Sequence, residues 1–178
     1  ALQDGITLFQ WREKGAGSLV QQPEAYGQFA RDCLALCREH GVPFLVNDDV
    51  DLALKFSNDG VHIGQDDGDI AATRARIGNR ILGVSAHSVA EVHSAEAAGA
   101  DYVGLGPIYP TKADANTPTG LSWLREARAA FPRLPIVAIG GINLARAPAV
   151  FAAGADGIAV ISAICGNAGF VSAFTQLD

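Results

Sequence analysis

Short apolar runs alternate along the chain with stretches whose apolar residues recur at helical spacing. Strands are predicted over residues 6–13, 43–49, 60–65, 80–85, 100–108, 135–142 and 157–161. Helices are predicted over 22–40, from 50, over 69–77, 89–98, 121–131 and 144–153, and from about 168 to 175. The helix over 22–40 begins near Pro23, stops at Gly41 and carries an apolar stripe of Phe29, Cys33, Leu36 and Cys37. Strict alternation of strand and helix, with connections of ordinary length, predicts a parallel α/β sheet. Gly-Ala-Asp occurs twice, at 99–101 and 154–156, each time after a helix and before a strand. We read it as a recurring helix stop and strand start.

Polar residues break this pattern where the strands end. Pro43-Phe44-Leu45-Val46 runs into Asn47-Asp48-Asp49, and Val61-His62-Ile63-Gly64 runs into Gln65-Asp66-Asp67. Asp-Asp at the end of a buried strand is poor chemistry for a core. Hard carboxylate oxygens on adjacent strand ends suit magnesium, which takes one or two carboxylates and shares substrate phosphates. Either ending alone reads as a helix cap, and Asp49 is placed to start the helix at Val50. The repetition points to a metal. In the first strand, alternation puts Gln10, Arg12 and Lys14 on one face if the strand geometry persists.

The strand ends also choose between two architectures. No Gly-x-Gly-x-x-Gly follows the first strand, which argues against a dinucleotide-binding sheet. Arg12, Asn47, Gln65, Ser85, Thr111, Asn143 and Ser162 instead fall at the carboxyl ends of successive strands, as a (β/α)8 TIM barrel assembles its site. Gly140-Gly141 and Ile161-Ser162 close the last two strands, where such barrels often bind phosphate through backbone N–H groups, although a glycine pair also makes a tight turn with no ligand.

Composition narrows the classes. With 178 residues, 49% hydrophobic and 18% charged, the chain can bury a substantial core and is expected to form a single domain over 1–178. The net charge of -6 argues against a sequence-blind nucleic-acid binder, since any positive charge must be concentrated locally. No apolar run is long enough for a membrane span, and no signal peptide opens the chain. A cytoplasmic protein is expected. Cys33, Cys37 and Cys165 are an odd set without C-x-x-C spacing, which fits reduced thiols. Nothing in the pattern sets an oligomeric state.

Taken in order, Gln10-Trp11-Arg12-Glu13-Lys14, Asn47-Asp48-Asp49, the segment from Gly60 to Asp67, Gly83-Val84-Ser85, the segment from Gly104 to Thr111, Ile139-Gly140-Gly141-Ile142 and Ile161-Ser162-Ala163-Ile164 resemble the thiamine-phosphate synthase family. The resemblance covers almost the whole chain. It implies a (β/α)8 barrel that joins a hydroxymethylpyrimidine diphosphate to a thiazole phosphate and releases pyrophosphate. It further implies magnesium at Asp48 and Asp67, catalytic roles for Arg12, Lys14, Ser85 and Lys112, and substrate contacts from Gln10, Trp11, Arg12, Glu13, Lys14, Asn47, Ser85, Thr111, Gly141, Ile161 and Ser162. His62 is expected to be a satisfied strand histidine rather than a base.

Two features depart from the family pattern. Thr111 runs directly into Lys112-Ala113-Asp114, about two residues shorter than the family's loop over the diphosphate, and Lys112 is the residue expected to stand in for the loop lysine. Seven strands also leave an eight-stranded barrel unclosed, with the first strand and most of the first helix of the family absent. About one more strand-helix unit is therefore expected upstream. Two rival readings are a thiazole-tautomer-type relative and a non-catalytic barrel that binds phosphorylated ligands. The first would be expected to lose the acidic and basic diphosphate residues present here. The second would bind without turnover.

Overall fold

A computed structural model describes residues 1–15, 17–111, 118–165 and 169–174. Seven strands, β1 (Phe9–Trp11), β2 (Phe44–Asn47), β3 (Gly60–Ile63), β4 (Ile81–Ala86), β5 (Tyr102–Leu105), β6 (Ile136–Ile139) and β7 (Gly157–Ala159), form one sheet in chain order. Every pairing is parallel. Helices α1 (Pro23–Glu39), α2 (Val50–Lys55), α3 (Ile70–Ile77), α4 (Val89–Ala97), α5 (Gly120–Ala130), α6 (Ala147–Ala152) and α7 (Phe170–Phe174) follow the strands one by one. Among the described residues the result is the curled α/β sheet of the expected TIM barrel, one strand short of the eight that close it. Among the described residues no helix is long and apolar enough to cross a membrane.

Alternation along the strands separates two faces. Phe44, Val46, Val61, Ile63, Leu82, Val84, Val103, Leu105, Ile136 and Ala138 point outward and form one buried cluster with Leu34, Val92, Leu124 and Val150 of the helices. Leu45 is buried outside that cluster, on the inner face. Helix starts are fixed locally. Asp49, Asp69 and Ser88 accept the Leu52, Ala72 and Glu91 N–H groups at 2.8, 2.7 and 3.2 Å, capping α2, α3 and α4.

On α1 the structure corrects the expected stripe. Gly27, Ala30, Leu34 and Cys37 face the sheet, whereas Phe29 and Leu36 are 45% and 49% exposed. The helix has two apolar sides, and its smaller residues win the inward one because they let it approach β1 and β2 closely. The first strand is also shorter than expected, ending at Trp11.

The amino-terminal rim holds a repeated fastening. Asp101 Oδ2 accepts the Leu82 N–H at 2.7 Å and pairs with Arg74, whose guanidinium also reaches the carbonyls of Gly99, Gly78 and Arg80. Asp156 Oδ2 accepts the Ile136 N–H at 2.7 Å and pairs with Arg128, which reaches the carbonyls of Gly154, Phe131 and Leu134. The two Gly-Ala-Asp segments are thus parts of one device that ties β5 to β4 and β7 to β6. A simpler version joins β3 to β2, where Asp59 accepts the Phe44 N–H and Arg38 donates to the Ser57 carbonyl.

Candidate active site

The carboxyl ends of β1 and β2 bring the first polar groups together. Gln10 Nε2 donates to Asn47 Oδ1 at 2.7 Å on the inner face. Trp11 alternates to the outer face, 3% exposed, with its ring 4.5 Å from that of Tyr26 on α1. Its indole therefore lies in the core, on the opposite side of the strand from Gln10, rather than beside a ligand. Beyond the strand, Glu13 turns back to accept the Leu19 N–H at 3.0 Å, which braces the following loop. Arg12 is exposed, and among the described residues its side chain makes no hydrogen bond or ion pair. Lys14 forms an ion pair with Asp48.

Adjacent carboxylates have separate duties here. Asp49 caps α2, so the capping role holds for that residue. Asp48 takes a left-handed backbone with φ 65°, rare outside glycine, and its N–H donates to the His62 carbonyl at 2.8 Å. Asp67 accepts the Gly64 N–H at 2.8 Å, which folds the β3–α3 loop and brings its carboxyl to Asp48. Burial pushes the Asp48 carboxyl above its ordinary value, and Asp67 adds to the rise while Lys14 opposes it. Burial also works against ionisation of Asp67, yet hydrogen bonds from Asp48 and the Gly64 N–H hold its carboxyl below the ordinary value. Two crowded oxygen donors result. Among the described residues no group of three or more His, Cys, Asp or Glu side chains is arranged to hold a metal.

His62 is satisfied, as expected for an enclosed strand histidine. Its Nε2 lies 2.8 Å from Ser85 Oγ and its Nδ1 2.9 Å from the Tyr102 hydroxyl. Burial pushes its pKa down to about 4, so the ring is neutral at physiological pH. Gln65 Nε2 donates to the Ser85 carbonyl at 2.6 Å, fixing the strand end from which that hydroxyl projects.

The later strands build the other rim. Gly140 and Gly141 follow β6 with φ 95° and 64°. A Cβ at Gly141 would lie 2.7 Å from the Pro110 carbonyl oxygen and 2.8 Å from Tyr109 Cβ, so only glycine fits this turn against the loop after β5. Thr111 lies in that loop, and Ile161 and Ser162 are exposed just past β7. Lys112 lies outside the described residues. Arg146 was not singled out in the sequence, yet its guanidinium stacks 4.5 Å from the Tyr109 ring centroid and donates to the Gly141 carbonyl at 2.6 Å. Its signal was faint, one arginine at the start of a short helix.

A family model described as thiamine monophosphate synthase matches residues 1–164. The thiamine-phosphate synthase of Lysinibacillus sphaericus is 58% identical over 167 residues, covering 93% of this chain and 78% of that protein. The thiamine-phosphate synthase of Geobacillus kaustophilus is 56% identical over 166 residues, covering 92% and 74%. Among solved structures, thiamine phosphate pyrophosphorylase from Pyrococcus furiosus matches with a TM-score of 0.87 and 36% identity, covering 98% of this chain and 84% of that one. With a family model spanning most of its length and relatives sharing more than half of its residues, the chain belongs to the thiamine monophosphate synthase family.

Proposed function

We propose that this enzyme carries out the family's coupling of a pyrimidine and a thiazole with 4-amino-2-methyl-5-hydroxymethylpyrimidine diphosphate as donor, a thiazole phosphate as acceptor and a magnesium ion at Asp48 and Asp67. The observation that carries the reading is the meeting of Lys14, Asp48 and Asp67 at one strand-end mouth, next to the Gln10–Asn47 pair. Two carboxylates that crowd one another fit a divalent ion whose remaining ligands are water and phosphate oxygen. Bound there, magnesium would neutralise charge on the diphosphate.

In the coupling step the carbon–oxygen bond to the diphosphate breaks, and its electron pair leaves with pyrophosphate. The aminopyrimidine supports the positive charge left on carbon, and the thiazole nitrogen then forms the new carbon–nitrogen bond. No protein nucleophile is needed. Arg12, free of protein partners among the described residues, and Lys14 meet the growing charge on the leaving group. Lys112 is carried over by resemblance as a further cation for that group. Gln10 and Asn47 orient the pyrimidine, while Thr111, Gly141, Ile161 and Ser162 hold the thiazole phosphate in line with it. We place the reaction in the cytoplasm, whose reducing conditions suit the three free cysteines.

Pyrophosphate release measured with both substrates, with magnesium and after chelation, tests this reading. Magnesium-dependent turnover is expected. Tight binding of both ligands without turnover would overturn it in favour of a binding barrel.

A further inference from the structure

His62 reaches from β3 across the inner face towards β4 and β5, into space that two glycines leave open. A Cβ at Gly83 would overlap both the imidazole and the Tyr102 ring, and one at Gly104 would lie 3.1 Å from His62 Cε1. Tyr102, His62 and Ser85 therefore form one hydrogen-bonded row that ends beside the mouth.

The row has a direction. A neutral imidazole offers one N–H donor and one bare nitrogen acceptor, so the two ends of His62 must play opposite parts. The Tyr102 hydroxyl is held beside Nδ1, and among the described residues its proton has no other acceptor. Donating that proton to Nδ1 leaves the imidazole proton on Nε2, where it is given to Ser85 Oγ. The Ser85 proton is then free to point into the mouth. We infer that Tyr102 and His62 set Ser85 as a hydrogen-bond donor to a diphosphate oxygen, so that His62 is a positioning residue acting through Ser85. This rests on reading Ser85, which the family resemblance makes a catalytic and substrate-contacting residue, as part of the proposed diphosphate site.

The direction is read without activity by 15N NMR of the chain labelled at histidine. A neutral Nε2–H tautomer is expected for His62, and an Nδ1–H tautomer or an imidazolium at neutral pH would overturn the inference. Kinetics read the coupling. Tyr102→Phe removes the terminal donor but keeps the ring, and it should lower kcat/KM for the pyrimidine diphosphate about tenfold, the scale of one lost hydrogen bond. The KM for the thiazole phosphate should not change. In a Ser85→Ala background the same substitution should have no further effect, because the relay has lost its end. Additive losses would overturn the relay alone, with Ser85 kept as a site residue. Full turnover in Ser85→Ala would instead remove Ser85 from the site, and the inference with it.

Discussion

Lys14 is ion-paired with Asp48, the carboxylate that burial and Asp67 both discourage from ionising. The cluster thus holds one cation against two acids whose pKa values are pushed apart. An Asp whose folded pKa is raised takes up its proton in the folded state first, so it lowers stability as pH rises from its ordinary value of 3.8 through the folded value. Asp67 has the opposite sign, contributing stability above 3.8 that is lost as pH falls through its lowered value.

Thermal unfolding of Asp48→Asn and Asp67→Asn should therefore shift in opposite directions at neutral pH. We expect Asp48→Asn to raise Tm and Asp67→Asn to lower it, with the Asp48 gain fading as the pH approaches 3.8. A Tm lowered by Asp48→Asn would show that its ion pair with Lys14 outweighs the crowding.

The same two variants test the proposed magnesium ion. Two carboxylates make a weak magnesium site unless phosphate oxygens complete it. Calorimetry should show magnesium binding chiefly when a diphosphate ligand is present, and both variants should lose that binding while keeping the fold. An unchanged magnesium response in both would place the ion elsewhere.

Much of this arrangement was legible in the residues because strand ends have few uses for paired acids and amides. Asn47, Asp48 and Asp67 stood out as polar interruptions of apolar runs, whereas the alternation expected to carry Gln10, Arg12 and Lys14 on one face stops at Trp11, where the strand ends. What alternation could not assign was the division of labour between Asp48 and Asp49, which depends on a left-handed backbone at Asp48. The His62 row was hidden for a related reason. Gly83 and Gly104 lie inside strands, and only the strand register sets them beside an imidazole. On α1, Phe29 and Leu36 were misleading because hydrophobicity marks apolar stripes without saying which one is narrow enough to approach the sheet.

The fastenings on the amino-terminal rim should matter to stability and not to turnover. Removing Asp156 or Asp101 leaves a strand N–H, at Ile136 or Leu82, and an arginine without their shared acceptor. Asp156→Ala and Asp101→Ala should each cost about 1–3 kcal/mol in urea denaturation. Because the TIM-barrel site lies at the opposite ends of the strands, kcat should stay near that of the unaltered enzyme. A large kcat loss in a folded variant would couple this rim to the chemistry.

Arg12 and Gly141 distinguish the two proposed anion sites. Arg12 is a long exposed cation at the end of β1, suited to a leaving group whose charge grows as the bond breaks. Gly141 offers a backbone turn tight against Tyr109 and Pro110, suited to a phosphate whose charge stays constant. Interactions that strengthen only in the transition state act on kcat, whereas interactions equal in both states act on KM. Arg12→Ala should therefore lower kcat about a hundredfold, equivalent to about 2.7 kcal/mol of transition-state stabilisation. Gly141→Val should chiefly raise the KM for the thiazole phosphate, since its Cβ must push into the Pro110 carbonyl and distort the turn. Steady-state kinetics with both substrates varied decide the matter. If Arg12→Ala changed only the KM for the thiazole phosphate, or Gly141→Val lost kcat with both KM values intact, the leaving-group and acceptor sites would have to be exchanged.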